Sequence, residues 1–173
     1  MKRWTVVFTV VAALAVAGYL VVAQQPRRAG MRPDDQPSSS PRAKPSQAGG
    51  FVLRSSEVAE GGMLPKEFTG DGSSATLPLQ WSGAPAGTRS FALIMHHEAP
   101  DGIKWYWVLY NIPAEVSSLD KNVKGIGTLG NNSVNRDPGY APPHSKGPGP
   151  KTYTLTVYAL SAAPQIAVPA EQE

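Results

Sequence analysis

From residue 51 onward, no stretch of ordinary helical length carries apolar residues at helical spacing, and that absence narrows the fold more than any motif does. Short β-type runs cut by turn residues take the place of helices. Residues 51–53, 77–81 and 90–95 are strand candidates. Residues 104–112 set Trp105, Trp107 and Leu109 on one face and Tyr106, Val108 and Tyr110 on the other. Large residues on both faces predict a central strand covered on both sides. Residues 152–160 alternate Tyr153, Leu155, Val157 and Ala159 against Thr152, Thr154, Thr156 and Tyr158, a strand with a β-branched polar face. With 17 Gly and 17 Pro in the chain, turns and long connections outweigh helices. These patterns place the fold in the all-β class, as a sheet sandwich beginning at residue 51.

Two different segments precede that domain. Lys2 and Arg3 introduce an uncharged apolar run over residues 4–23, which predicts an apolar helix. A basic start, an apolar stretch and small residues at Val21-Val22-Ala23 fit a signal peptide cut there. The same run has the ~20 residues that cross a bilayer as a helix, so a retained membrane anchor fits equally. Either way the domain is exported: periplasmic, secreted, or tethered to the outer face of the inner membrane. Residues 24–50 are rich in Pro, Ser, Gly, Gln and Arg and lack large apolar side chains. Such a linker buries too little surface to offset its ordering entropy and is expected to be a disordered tether.

Charge follows the same division. Residues 1–50 hold seven Lys and Arg against two Asp, a net of +5, which leaves −2 for residues 51–173 of a chain whose total is +3. The basic balance therefore belongs to the leader and tether, and no nucleic-acid partner is expected of the domain. The absence of cysteine excludes disulfides, thiolate zinc sites and a lipidated cysteine anchor. The core must hold the domain alone.

Residues 121–151 are loaded with Gly, Asn and Pro and have no periodicity. A connection this long is usually functional or disordered, and Tyr140 beside Pro142 and Pro143 favours packing. Gly125-Ile126-Gly127-Thr128-Leu129-Gly130 matches a dinucleotide-loop pattern but opens no helix in a βαβ unit, so it is a loop. Asn131-Asn132-Ser133 is a chance glycosylation match.

Many short motifs then fall in a familiar order. They are Pro65-Lys66-Glu67-Phe68-Thr69-Gly70-Asp71-Gly72, Pro78-Leu79-Gln80-Trp81, Gly83-Ala84-Pro85-Ala86-Gly87-Thr88 and Ser90-Phe91-Ala92-Leu93. Ala99-Pro100, Trp105-Tyr106-Trp107-Val108, Asn111-Ile112-Pro113, Gly139-Tyr140, Pro142-Pro143 and Tyr158-Ala159-Leu160 come after them. Over about 110 residues the chain resembles the bacterial branch of the phosphatidylethanolamine-binding, or Raf-kinase-inhibitor-like, family. The resemblance implies an antiparallel two-sheet β-sandwich over residues 51–173, with a small surface pocket for phosphate-like or carboxylate-like groups. Carried over by position, its ligand-binding residues are His96, Glu98, Tyr106, Tyr140, Pro142, Pro143, Lys151 and Tyr153, and His144, which stands beside the two prolines in this sequence, is added to them as a ligand-binding candidate.

The chain departs from the family pattern at several of these positions. His96 and His97 stand for an acid and a proline, Tyr106 for a histidine between tryptophans, and Lys151 for the histidine of a His-x-Tyr segment. After Leu160 the family continues with a helix and a closing strand. Here Pro169-Ala170-Glu171-Gln172-Glu173 reads as a first helical turn, so a truncated C-terminal end and an open sheet edge are expected.

Strand periodicity places His96 and Glu98 on one face and His97 on the other, so His97 is expected to be a packed or surface residue outside the pocket. Asp71, between two glycines, is expected to be a turn residue. Imidazole, Lys151 and the phenols suit an oxyanion, which makes the leading expectation a small-ligand-binding protein, not an enzyme, with no cofactor. Its partners are an anionic or polar ligand such as a phospholipid head group, and the membrane if residues 1–23 are retained. Two alternatives stand beside it. One is a metal-assisted hydrolase using His96, Glu98 and His144, which supply the minimum of ligands but at no recognised spacing. The other is a protein-interaction inhibitor. A Ser145 nucleophile is not supported, since its neighbour His144 is adjacent in sequence and no nucleophile elbow exists.

Overall fold

The computed structural model describes residues 4–13, 50–144 and 149–166. The expected tether, the second half of the apolar run, Ser145 and the chain end after Ile166 lie outside the described residues.

Eight strands and one 3-10 turn make up the described fold. They are β1 Trp4–Ala13, β2 Val52–Arg54, β3 Leu79–Ser82, β4 Ser90–Ala99, β5 Gly102–Pro113, β6 Ser118–Leu119, β7 Thr128–Gly130 and β8 Lys151–Leu160, with the 3-10 turn at Lys66–Phe68. A five-stranded sheet runs β1-β8-β4-β5-β7 and a three-stranded sheet runs β2-β3-β6. The predicted sandwich is therefore present, and all five strand candidates fall on β2, β3, β4, β5 and β8.

The core lies where the two sheets face each other. β4 contributes Phe91, Leu93 and Met95, β8 contributes Tyr153, Leu155, Val157 and Ala159, and the small sheet contributes Leu53, Leu79, Trp81 and Leu119. Trp81 meets Phe91 edge to face with ring centroids 5.3 Å apart. Period-two alternation in β4 and β8 aims these side chains inward. On the outer face of the large sheet Tyr110 and Thr156 are buried while Ala92, Ile94, Val108 and Tyr158 are half-buried, so that face is covered in part.

β5 departs from simple alternation. Between Phe91/Leu93 and their partners Ile112/Leu109 the strand carries one extra residue, and it carries another between Trp107 and Trp105 opposite Met95 and His96. Asn111 takes φ 54° at the first of these bulges. Each extra residue reverses the facing of the side chains beyond it. Trp107, Leu109 and Ile112 all point inward, whereas Trp105 turns outward and is 37% exposed. The sequence expectation that Trp105, Trp107 and Leu109 share a face is corrected on this ground.

The N-terminal run differs most from expectation. Residues 4–13 form no helix: β1 lies parallel to β8 in a ten-residue register from Trp4 opposite Lys151 to Ala13 opposite Leu160. A free edge of β8 offers unpaired backbone groups, and a β-branched apolar segment satisfies them. The long 121–151 connection also has order of its own. Asn132 is buried, accepts from the amides of Val134 and Asn135, and donates through Nδ2 to the Asp137 carbonyl.

Leu93 is fully enclosed at the middle of β4, which pairs with β5 on one side and β8 on the other. Leu93→Ala is expected to cost about 2–5 kcal/mol through lost burial and the cavity left behind. Chemical denaturation monitored by tryptophan fluorescence checks this.

Candidate functional site

The site forms where the β4–β5 hairpin meets the start of β8. The hairpin turns at Pro100 and Asp101, with Ala99 opposite Gly102, and Asp101 accepts a 2.8 Å hydrogen bond from Lys104 Nζ. That bond holds the Asp101 carboxyl below the ordinary carboxylate range.

Counting in twos from Phe91, Leu93 and Met95 puts His97 on the inner face, and the structure agrees. Its ring lies 5.3 Å from that of Tyr153, and its Nδ1 lies 2.8 Å from the Thr152 carbonyl oxygen. A carbonyl only accepts, so Nδ1 carries the proton and Nε2 is left for another partner. Tyr106 is the extra residue of the second bulge, and its ring stands edge-on to Tyr153 at 5.0 Å. Tyr153 is fully buried, and its hydroxyl has no hydrogen-bond partner. Burial foremost, and the nearby Tyr106 phenol after it, push this hydroxyl above the ordinary phenol range. Lys151 sits half-buried two residues before Tyr153, on the same face of β8.

The proline-bounded loop folds over this end of the sheet. Ala141 donates its amide to the Tyr106 carbonyl at 2.7 Å, and Gly70 donates to the Pro143 carbonyl at 2.9 Å. Tyr140 donates its hydroxyl to the Phe68 carbonyl at 2.6 Å and packs against Trp107 at 5.7 Å. Burial raises the Tyr140 pKa, so the phenol remains a neutral donor, already engaged with the protein. His144 Nδ1 lies 3.0 Å from Asp71 Oδ1. A Cβ on Gly70 would stand 2.8 Å from the His144 Cβ, so glycine is what lets the loop lie this close.

The residues singled out in the sequence thus separate into three places. Tyr106, Tyr153 and Lys151 lie at the inner cluster, whereas Tyr140, Pro142, Pro143 and His144 belong to the loop docked on Phe68, Gly70 and Asp71. His96 and Glu98 do share a face, but it is the outer one. There His96 packs at a tilt against Trp105, ring centroids 5.6 Å apart, with Nδ1 buried and unpartnered, and Glu98 is exposed. Periodicity counted from His96 alone left out His97; counted from the apolar run before it, the same rule includes it. Asp71 proves to be a partner of His144 rather than a turn residue alone.

Two outcomes are expected from this geometry. Gly70→Ala should displace His144 and weaken the loop's hold, read as faster amide exchange at Ala141 with little change in the sheet. In a spectrophotometric titration of the six tyrosines, Tyr140 and Tyr153 should ionise last. The folded protein holds their protons more tightly than the unfolded chain. Their contribution to stability is therefore full below the unfolded phenol value of about 10 and is lost as pH rises above it, so alkaline unfolding should accompany their ionisation.

Comparison with known proteins bears on this arrangement. The family profile described as phosphatidylethanolamine-binding protein matches residues 54–173. YbcL of Escherichia coli (strain K12) is 36% identical over 132 residues, covering 66% of this chain and 71% of that protein. A relative from Methanothermobacter thermautotrophicus is 35% identical over 83 residues, and the match spans 55% of its length and 47% of this chain. The crystal structure of E. coli YbcL, described as a member of the mammalian PEBP family, superposes with a TM-score of 0.62 at 29% identity. That superposition covers 68% of this chain and 80% of that one. With the profile spanning most of the chain and the sheets superposing on a solved member, the chain belongs to the phosphatidylethanolamine-binding protein family.

Proposed function

We propose that this protein is a small-ligand-binding module, not an enzyme, and that it holds a compact oxyanion between Tyr106, His97 and Tyr153. The ligand class is a phosphate or carboxylate, free or as a phospholipid head group. One observation carries the reading: the Tyr153 hydroxyl is fully buried beside the Tyr106 phenol and makes no hydrogen bond of good geometry. An unpaired buried polar group costs about 1–3 kcal/mol, and a ligand oxygen arriving there would recover that loss. The Tyr106 phenol supplies a further donor, the Nε2 edge of His97 donates as well when the ring is protonated, and Lys151 on the same face adds charge. Family membership supports an anion or head-group ligand in general terms.

The site is proposed to act outside the cytoplasm. The basic, apolar N-terminus supports export, as does a 29% identical Mycobacterium tuberculosis relative that bears the name "Putative lipoprotein LppC". The metal-assisted hydrolase finds no support in the arrangement. His96 and Glu98 face outward, His144 is engaged by Asp71, and the described residues bring no three metal-ligating side chains together. No specific observation favours the protein-interaction inhibitor.

Titration with phosphate, acetate and phosphoethanolamine, followed by amide chemical shifts, tests the proposal. Shifts should concentrate at His97, Tyr106 and Tyr153; their absence with all three ligands would overturn it. Tyr153→Phe should weaken binding about tenfold by removing one charge-assisted hydrogen bond, yet raise the ligand-free stability by about 1 kcal/mol.

A further inference from the structure

The run that reads as a leader or anchor is also a built strand of the sheet. Trp4 is 6% exposed and Val6 fully buried, while Phe8 and Val10 pack against the same core. Both edges of β1 are bonded. β8 pairs with it along ten residues, and the segment 60–64 closes the other side. On that side Val6 donates to the Gly62 carbonyl at 2.9 Å and accepts from the Gly61 amide at 2.8 Å. Leu64 donates to the Trp4 carbonyl at 2.7 Å, and a Glu60 carboxylate oxygen accepts from the Phe8 amide at 2.7 Å. This is a slot with two hydrogen-bonding walls and an apolar floor.

Occupancy is uneven along the slot. Its first half seats Trp4 and Val6 deeply, whereas Phe8 and Val10 border a cavity of about 470 Å³ with Phe51, Leu53 and Val58. Voids forfeit contact energy, so the second half of β1 is held less tightly than the first. The identical residues, 4–13, begin the uncharged run of residues 4–23 that is long enough to cross a bilayer as a helix. A backbone segment cannot bond β8 and 60–64 as a strand and at the same time satisfy itself as a helix in lipid.

We infer that β8 and residues 60–64 form a strand-acceptor slot for the chain's own residues 4–13, and that a lipid bilayer competes with this slot for the segment. Lys2 and Arg3 beside the run would draw it toward an anionic membrane surface. The slot-bound state is a sheet protein with its N-terminus withdrawn. The lipid-bound state leaves the β8 edge open.

The cysteine-free chain allows a direct test in the full-length protein. Thr5 and Thr152 are register partners, and so are Val7 and Thr154. Strands in register lie ~4.8 Å apart, within reach of a disulfide. The pair Thr5→Cys with Thr152→Cys, and separately Val7→Cys with Thr154→Cys, is oxidised in detergent-free buffer and again with phosphatidylcholine–phosphatidylglycerol vesicles present from refolding onward. The expected result is an intrachain crosslink in buffer from both pairs, falling about tenfold with vesicles as the bilayer takes the segment. No crosslink from either pair in buffer, a crosslink between two chains, or a yield unchanged by vesicles would overturn the inference.

Discussion

Strand β4 is bonded on one side by β5 and on the other by β8, and every backbone group it buries must find a partner there. That constraint fixes the register of three strands at once. It sends Phe91, Leu93 and Met95 into the core together with Leu155 and Val157, and it brings the far end of β4 beside the first residues of β8. The candidate site is a by-product of this pairing. His97 and Tyr153 meet because they continue, toward the sheet's end, the same inward row that builds the core.

A second element turns this junction into a site rather than a mere strand end. The extra residue at Tyr106 redirects a phenol onto Tyr153, and the loop through Ala141 and Pro143 is bonded to both Tyr106 and Gly70. Tyr140 and the His144–Asp71 pair therefore act on the loop, holding it down. The free hydrogen-bonding capacity lies with Tyr153 and with the Nε2 edge of His97. The division leaves a hydrogen-bonded rim around an unsatisfied interior.

Much of the sandwich was legible because its β-type runs are bounded by turn residues and because residues 152–160 set an apolar face against a threonine-rich one. The bulges in β5 were not legible. Trp105, Tyr106, Trp107 and Leu109 are all large, so no change of side-chain character marks where the strand gains a residue. His97 was legible in principle, since three inward apolar residues precede it at even spacing, but its neighbours His96 and Glu98 carried the stronger chemical signal and face away. For the N-terminus, composition alone is indifferent between helix in lipid and strand in a sheet: Val, Phe, Thr and Trp serve both. Only the presence of an open edge on β8 and of residues 60–64 beyond it selects the strand, and neither can be seen locally.

The paired bulges of β5 also bear on how the sheet assembles. A strand of uniform pleat next to β4 could slide by two residues and still present apolar side chains inward. With surplus residues at two separate points, any slide would misplace Asn111 from the backbone conformation it adopts and would turn Trp107 or Ile112 toward water. The irregularities thus behave as a key with two notches, admitting a single alignment of the hairpin before the loop over it can close.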